Sequence, residues 1–278
     1  MTWFYGLPNW LAGVVVVGLT VVVALVGHRA WLRMFRADHS EERRGLALEM
    51  MEISALILSL LIAFTAVAVW EAYAKAEDAV DVEAAIAGEL ARDLAVYSTR
   101  EADAAREALR TYIRSIIDEE WPVMAKGGAH EGTAHKFNAI FRRVALIEPR
   151  TPREEAILRE VWTRTNELNQ HRRGRLDSLD SAIPGPLWAV VIAGTLVTFF
   201  LFYVQPVHRF NSAVLAAYAS VMGMVFFFIL AMDRPFSGTL SVSREPFENA
   251  LRSMERWDRE PPLAPAAAPK PAPPDGTK

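Results

Sequence analysis

The sequence predicts an all-α fold in which four helices cross a membrane. Three observations predict it. Four long runs contain no Asp, Glu, Lys or Arg, aromatic residues mark their ends, and the charged stretch between the second and third runs has helical periodicity. The chain is 52% hydrophobic and 23% charged, a mixture that spread evenly would suit a soluble protein. Here the two compositions are segregated, and the segregation decides the class.

The runs are Trp10 to Gly27 (18 residues), Ile53 to Trp70 (18), Ile183 to Val207 (25) and Phe210 to Met232 (23). At 1.5 Å per residue, 18 residues span about 27 Å, close to the hydrocarbon core of a bilayer. Lipid offers no partner to backbone amides, so such runs must be helical. A Val-rich first run could form a buried strand, but it is too long for one. A cleaved signal peptide is also disfavoured, because residues 1–9 carry no Lys or Arg. Trp3 and Tyr5 precede the first run and Trp10 opens it, Trp70 and Tyr73 end the second, and Trp188 and Tyr203 bracket the third. Such rings favour the headgroup layer. Runs three and four are joined by a short turn and are expected to form an antiparallel hairpin. Pro184-Gly185-Pro186 marks the start of the third.

Residues 74–186 hold 17 Lys+Arg and 20 Asp+Glu and are expected to face water. The second run continues into them as one helix, with Val69, Tyr73, Ala76, Val80, Ala84, Ala87, Ala91 and Leu94 on one stripe. Ser98-Thr99-Arg100-Glu101 reads as a capping box opening a helix that buries Ala102, Ala105, Leu109, Tyr112, Ile113 and Ile116 and ends at Trp121-Pro122. After a loop at 126–133, a shorter helix carries Phe137, Ile140, Phe141 and Val144. Thr151-Pro152-Arg153-Glu154 caps a further helix with Val161, Trp162, Thr165, Leu168 and Leu176 inward. An amphipathic helix starts near Ser243. The expected organisation is therefore 1–73 (two membrane helices and an Arg-rich loop), 74–186 (helical water-facing domain), 187–260 (two membrane helices and the amphipathic helix) and 261–278 (a disordered Pro/Ala tail). The water-facing domain is expected to form partly from extensions of the second and third membrane helices.

Three stretches carry a resemblance: Leu60-Leu61-Ile62-Ala63-Phe64 with Trp70-Glu71-Ala72-Tyr73; Ile117-Asp118-Glu119-Glu120-Trp121-Pro122; and Leu230-Ala231-Met232-Asp233-Arg234-Pro235-Phe236-Ser237-Gly238 with Val242-Ser243 and Pro246-Phe247. The sequence resembles the bacterial membrane proteins labelled bestrophin-like, over nearly all of its length except the tail. A more distant similarity runs to true bestrophins, pentameric anion channels with four membrane helices per subunit. Phe64 and Trp70-Glu71 stand about one helical turn closer together than the matching bestrophin residues, and Gly238 falls one residue later. Thr239-Leu240-Ser241-Val242-Ser243 stands where eukaryotic bestrophins have an acidic calcium-binding run, so no calcium clasp is expected. The resemblance implies a homo-oligomer, a pentamer, in the inner (cell) membrane, with small anions as the permeant species.

A net charge of −3 gives no basic excess, so nucleic acid is not an expected partner. Without cysteine there are no disulfides or thiolate chemistry. No catalytic residue, cofactor or metal is expected: His130 and His135 are five apart, a spacing that does not stack on a helix face, and no phosphate loop or nucleophile elbow is present. If the second membrane helix lines a pore, Ile57, Leu61 and Phe64 share the face that would constrict it; the plainer reading is helix packing. Trp70, Glu71, Asp233, Arg234, Pro235, Phe236 and Gly238 form a membrane-edge motif, with structural anchoring as the plainer reading. Asp118-Glu119-Glu120 is expected to be a solvated helix end. Uncharged spans argue against proton coupling and leave room for a pore gated by apolar side chains. The alternative is a non-conducting scaffold or sensor whose helical domain binds a protein partner.

Orientation has two readings. Arg29, Arg33, Arg36, Arg43 and Arg44 lie between the first two runs, which places that loop in the cytoplasm and the helical domain outside. The bestrophin resemblance implies a cytosolic domain, with Arg172, Arg173 and Arg175 in support.

Overall fold

The computed structural model describes residues 8–34, 40–97, 99–180, 183–238 and 240–259. The expectations for Trp3, Tyr5, Arg36, Ser98, Thr239 and the 261–278 tail lie outside the described residues. The described elements are all helical: α1 (Asn9–Met34), α2 (Glu41–Tyr97), α3 (Arg100–Ser115), a π-helical turn (Ile116–Glu120), α4 (Trp121–Met124), α5 (Glu131–Val144), α6 (Pro152–Asp177), α7 (Gly185–Phe202), α8 (Arg209–Met232) and α9 (Glu245–Arg259).

Four of these, α1, α2, α7 and α8, are long and apolar enough to cross a membrane. They expose Val14, Leu19, Val22, Val190, Leu196, Val221 and Met224. A surface that apolar is matched to lipid, not to water. The 57 residues of α2 form one unbroken helix, about 85 Å long. Its apolar part occupies the membrane, and the rest rises from it as a strut.

The short turn after α7 sends α8 back along it. Phe199 meets Tyr218 near the turn, with ring centroids 6.1 Å apart, and Val191 shares a cluster with Ile229 at the far end. The expected hairpin is nevertheless splayed, since α8 packs most extensively on α1 and α7 on α2. Small residues explain the choice. A Cβ at Gly223 would lie 2.7 Å from the Val17 Cα, so α8 reaches the α1 backbone only because Gly223 has none. On α7, Gly194 faces Leu58, and Thr198 Oγ1 lies 3.2 Å from Ser54 Oγ. Buried His28 closes this end: its Nε2 donates to the Gln205 carbonyl at 2.8 Å, and its ring stacks on Tyr203.

Outside the apolar spans, α3, α5, α6 and α9 gather around the upper part of α2. The predicted stripe is buried there: Ala76, Val80, Ala84, Ala87, Ala91 and Leu94 are each under 5% exposed. Phe247 and Met254 of α9 enter the same core. The first cap is Thr99, one residue beyond the Ser98 spacing, accepting from the Ala102 amide. Thr151 accepts from the Glu154 amide at 3.1 Å, as its motif predicts. Two boundaries differ from expectation. The helix expected to stop at Trp121-Pro122 continues through the π-helical turn, where the Trp121 amide bonds the Ile116 carbonyl, and carries Pro122 on to Met124. The extension expected below α7 is interrupted: α6 ends at Asp177, and Pro184 and Pro186 allow α7 to start only at Gly185.

Replacing Gly223 with Leu is expected to destabilise the protein in detergent by about 1–3 kcal/mol, the cost of overpacking. Gly18→Leu, at a position with nothing within 4 Å of a new Cβ, should leave the thermal midpoint unchanged. Equal midpoints for the two variants would refute this account of the α1–α8 contact.

Candidate functional site

The side of α2 that no other element among the described residues covers carries the predicted constriction. Ile57 and Phe64 are 66% and 67% exposed. Leu61, on the same side, leans into the seam with α7 and is half-buried against the cluster of Leu58, Ile62 and Val191. Ile53, Leu60 and Val67 extend the open face, and Trp70 and Glu71 continue it past the end of the apolar run. Two turns beyond Phe64 the face becomes charged, with Glu71, Lys75 and Asp78 all exposed.

The second half of the membrane-edge motif faces the opposite way. Asp233 is buried, and its Oδ1 accepts the Ile183 amide at 3.1 Å, tying the end of α8 to the start of α7. Pro235 and Phe236 turn into the helical domain, where Phe236 meets Trp121 edge-to-face at 5.7 Å. Ser237 donates its hydroxyl to the Ala125 carbonyl, and the Pro235 carbonyl accepts the Val242 amide at 2.7 Å. Gly238 completes the bend at φ 82°, a left-handed conformation that favours glycine. Arg234 stays exposed, beside the Gly127 loop. The motif therefore splits into an outward pair, Trp70-Glu71, and an inward elbow, 233–238, that clamps α8 to the domain.

Above the elbow lies a buried charge network. Arg175 is fully buried between two fully buried carboxylates. Its Nε donates to Glu83 at 2.7 Å and its Nη2 to Glu120 at 2.9 Å. Arg172 Nη2 donates to the other Glu120 oxygen at 3.3 Å, and the Tyr112 hydroxyl donates to Glu83 at 2.6 Å. Two guanidiniums and two carboxylates balance, which offsets the cost of burying them. Burial alone would lower the Arg175 pKa, but Glu83, Tyr112 and Glu120 outweigh it and hold the guanidinium above its ordinary range. Burial, then Glu83, pushes the Tyr112 hydroxyl well up. Asp118-Glu119-Glu120 is thus not a uniformly solvated end. The π-helical turn leaves Asp118 and Glu119 outside and brings Glu120 into the core. Among the described residues no group of three or more His, Cys, Asp or Glu could hold a metal ion.

A family model described as "Bestrophin-like domain" matches residues 14–247. The chain belongs to the bestrophin-like family. Solved structures share the fold of this bestrophin-like chain at low identity. One is a membrane protein crystallised as a proline-to-alanine variant, with TM-score 0.64 and 11% identity, covering 91% of this chain and 100% of that one. Another is a bacterial bestrophin homologue from Klebsiella pneumoniae bearing a tyrosine-to-alanine mutation, with TM-score 0.60 and 9% identity, covering 88% and 97%. No curated protein matches it in sequence.

In this bestrophin-like chain the network is what sequence reasoning missed, although its phase was visible. Glu83 falls on the α2 stripe between Val80 and Ala87, and Arg172 and Arg175 continue the α6 stripe of Val161, Thr165 and Leu168 at steps of four and three. Arg172 and Arg175 are buried in the domain core, and of the three arginines only Arg173 is exposed. Replacing Arg175 with Met is expected to destabilise the domain by about 3–5 kcal/mol, because Glu83 and Glu120 lose their shared partner. Adding Glu83→Gln should recover part of that loss in denaturant unfolding, and strictly additive losses would refute the coupling.

Proposed function

We propose that the chain assembles into a ring of identical subunits, a pentamer by family resemblance, in the inner (cell) membrane. The second membrane helix lines a path for small anions, and Ile57, Leu61 and Phe64 form its constriction. The reading is carried by one observation: α2 keeps an apolar face open along its whole membrane portion while its opposite face is packed by α7 and α8. A ring places those faces around an axis, where apolar side chains gate by excluding water. The uncharged spans fit such a gate and leave no buried carboxylate for proton coupling. Glu71, two turns past Phe64, opposes anions at the mouth.

A second reading, a non-conducting scaffold or sensor with a protein partner, is favoured by an open groove of about 610 Å³ between α2 and α9, floored by Ala84, Ala85, Gly88 and Ala91 and closed by Arg92 and Trp257. The mass of the detergent-purified complex tests the ring, and a monomer would remove it. In reconstituted bilayers Phe64→Ala is expected to raise anion flux by opening the constriction, and Glu71→Gln to raise it by removing negative charge. Assembled protein with no flux would favour the scaffold.

A further inference from the structure

We propose that His130, Thr133, Ser115 and Glu119 form a proton-operated latch on the loop between α4 and α5, and that the latch reports to the elbow after α8. The inference does not depend on conduction. His130 is the N-cap of α5, and its Nδ1 accepts the Thr133 amide at 3.2 Å, a role only an unprotonated Nδ1 can fill. The Thr133 amide shares that bond with the His130 carbonyl at 3.2 Å. The same Nδ1 lies 3.1 Å from Thr133 Oγ1, which is 2.7 Å from Ser115 Oγ, and Ser115 donates to Glu119 at 2.8 Å. This buried pair of hydroxyls links the imidazole to a carboxylate whose Oε2 is itself 3.7 Å from Nδ1.

The ring sits over Gly132, where a Cβ would lie 2.6 Å from its Cε1. The ionisable groups around it are Glu119 on the π-helical turn and Lys136 on α5, with Glu131 and His135 its neighbours along the chain; α3 presents the neutral Ser115. Lys136 and then Ser115 hold the Glu119 carboxyl below the ordinary carboxylate range by hydrogen bonding to it. Glu119 therefore remains charged through the interval, about pH 5 to 8, in which histidines change charge.

Protonation converts Nδ1 from acceptor to donor. The side-chain cap on the Thr133 amide is lost, and the imidazolium gains Thr133 Oγ1 and the Glu119 carboxylate as acceptors. The start of α5 exchanges a cap for an ion pair. The loop it closes is held to the elbow, because Ser237 donates to Ala125 and Arg234 Nη1 passes 3.8 Å from where a Gly127 Cβ would stand.

Hydrogen exchange of the full-length protein in detergent, read by mass spectrometry at pH 7.5 and 5.5 and corrected for intrinsic rates, tests the latch. Amides of residues 126–134 are expected to exchange about fivefold faster at the lower pH, the effect of losing an ordinary N-cap. His130→Asn caps without titrating and should abolish the dependence. Gly132→Ala, which displaces the ring, should give the faster exchange at both pH values. Wild-type exchange that is unchanged with pH, or a dependence that persists in His130→Asn, would overturn the latch. Peptides containing Ser237 should follow the same pattern, and a response confined to the loop would overturn the link to the elbow.

Discussion

The helical domain depends on the neutralisation of Arg175. A guanidinium excluded from water is costly unless its donors are met by charge and hydrogen bonds together. Here they are met by Glu83 from α2 and Glu120 from the π-helical turn, while Arg172 and Tyr112 satisfy the remaining oxygens. The constraint is geometric as well as energetic. Both carboxylates must arrive from separate elements at one point, so the positions of α2, the turn and α6 are mutually fixed. Ring contacts extend the constraint outward, with Arg172 over Phe137 of α5 and Arg175 over Phe247 of α9. The π-helical turn follows from the same need: a regular helix through 116–120 would present its carboxylates in a different phase.

Through α2 this fixed domain is continuous with the membrane. A helix without a break transmits both rotation and tilt, so the face that Phe64 presents in the bilayer is set by how Glu83 is held above it. The elbow adds a second attachment on the far side, where Phe236 packs on Trp121, the residue that directly follows Glu120. The two connections reach one core from two different membrane helices. The spans themselves carry no Asp, Glu, Lys or Arg; close approach at Gly223 and Gly194, the His28–Gln205 bond at one end and the match of the outer surface to lipid hold them.

Much of the fold was legible because its signals are one-dimensional. A charge-free run of bilayer length has one physical solution, and the α2 stripe is a simple period, so four spans and one long helix follow from spacing alone. The splayed hairpin did not follow, because which helix α8 prefers depends on a glycine meeting a backbone far away in sequence. For the candidate site, spacing placed Ile57 and Phe64 on one face, and the structure leaves that face open. The half-burial of Leu61 depends on where α7 lies. The buried network escaped because charged residues are ordinarily assigned to water. Their phase on the stripes contradicted that assignment at Glu83, Arg172 and Arg175, and phase is the better guide where stripe and charge disagree.

The two halves of the molecule place charge in opposite ways, and this bears on control. The spans carry no Asp, Glu, Lys or Arg, so nothing within them responds directly to a change in proton concentration through a carboxylate or an amine. The groups that can respond are in the domain and at the membrane edge. Those at the core of the domain are paired with one another and shut away from solvent. Those at its margin, around the α4–α5 loop, are His130, Glu119 and Lys136, which reach solvent, and the loop touches the elbow of α8 through Ala125 and Ser237. A chemical signal can therefore enter this structure at its periphery and reach the membrane through backbone connections, while the central network keeps the strut in place as the lever on which such a signal acts.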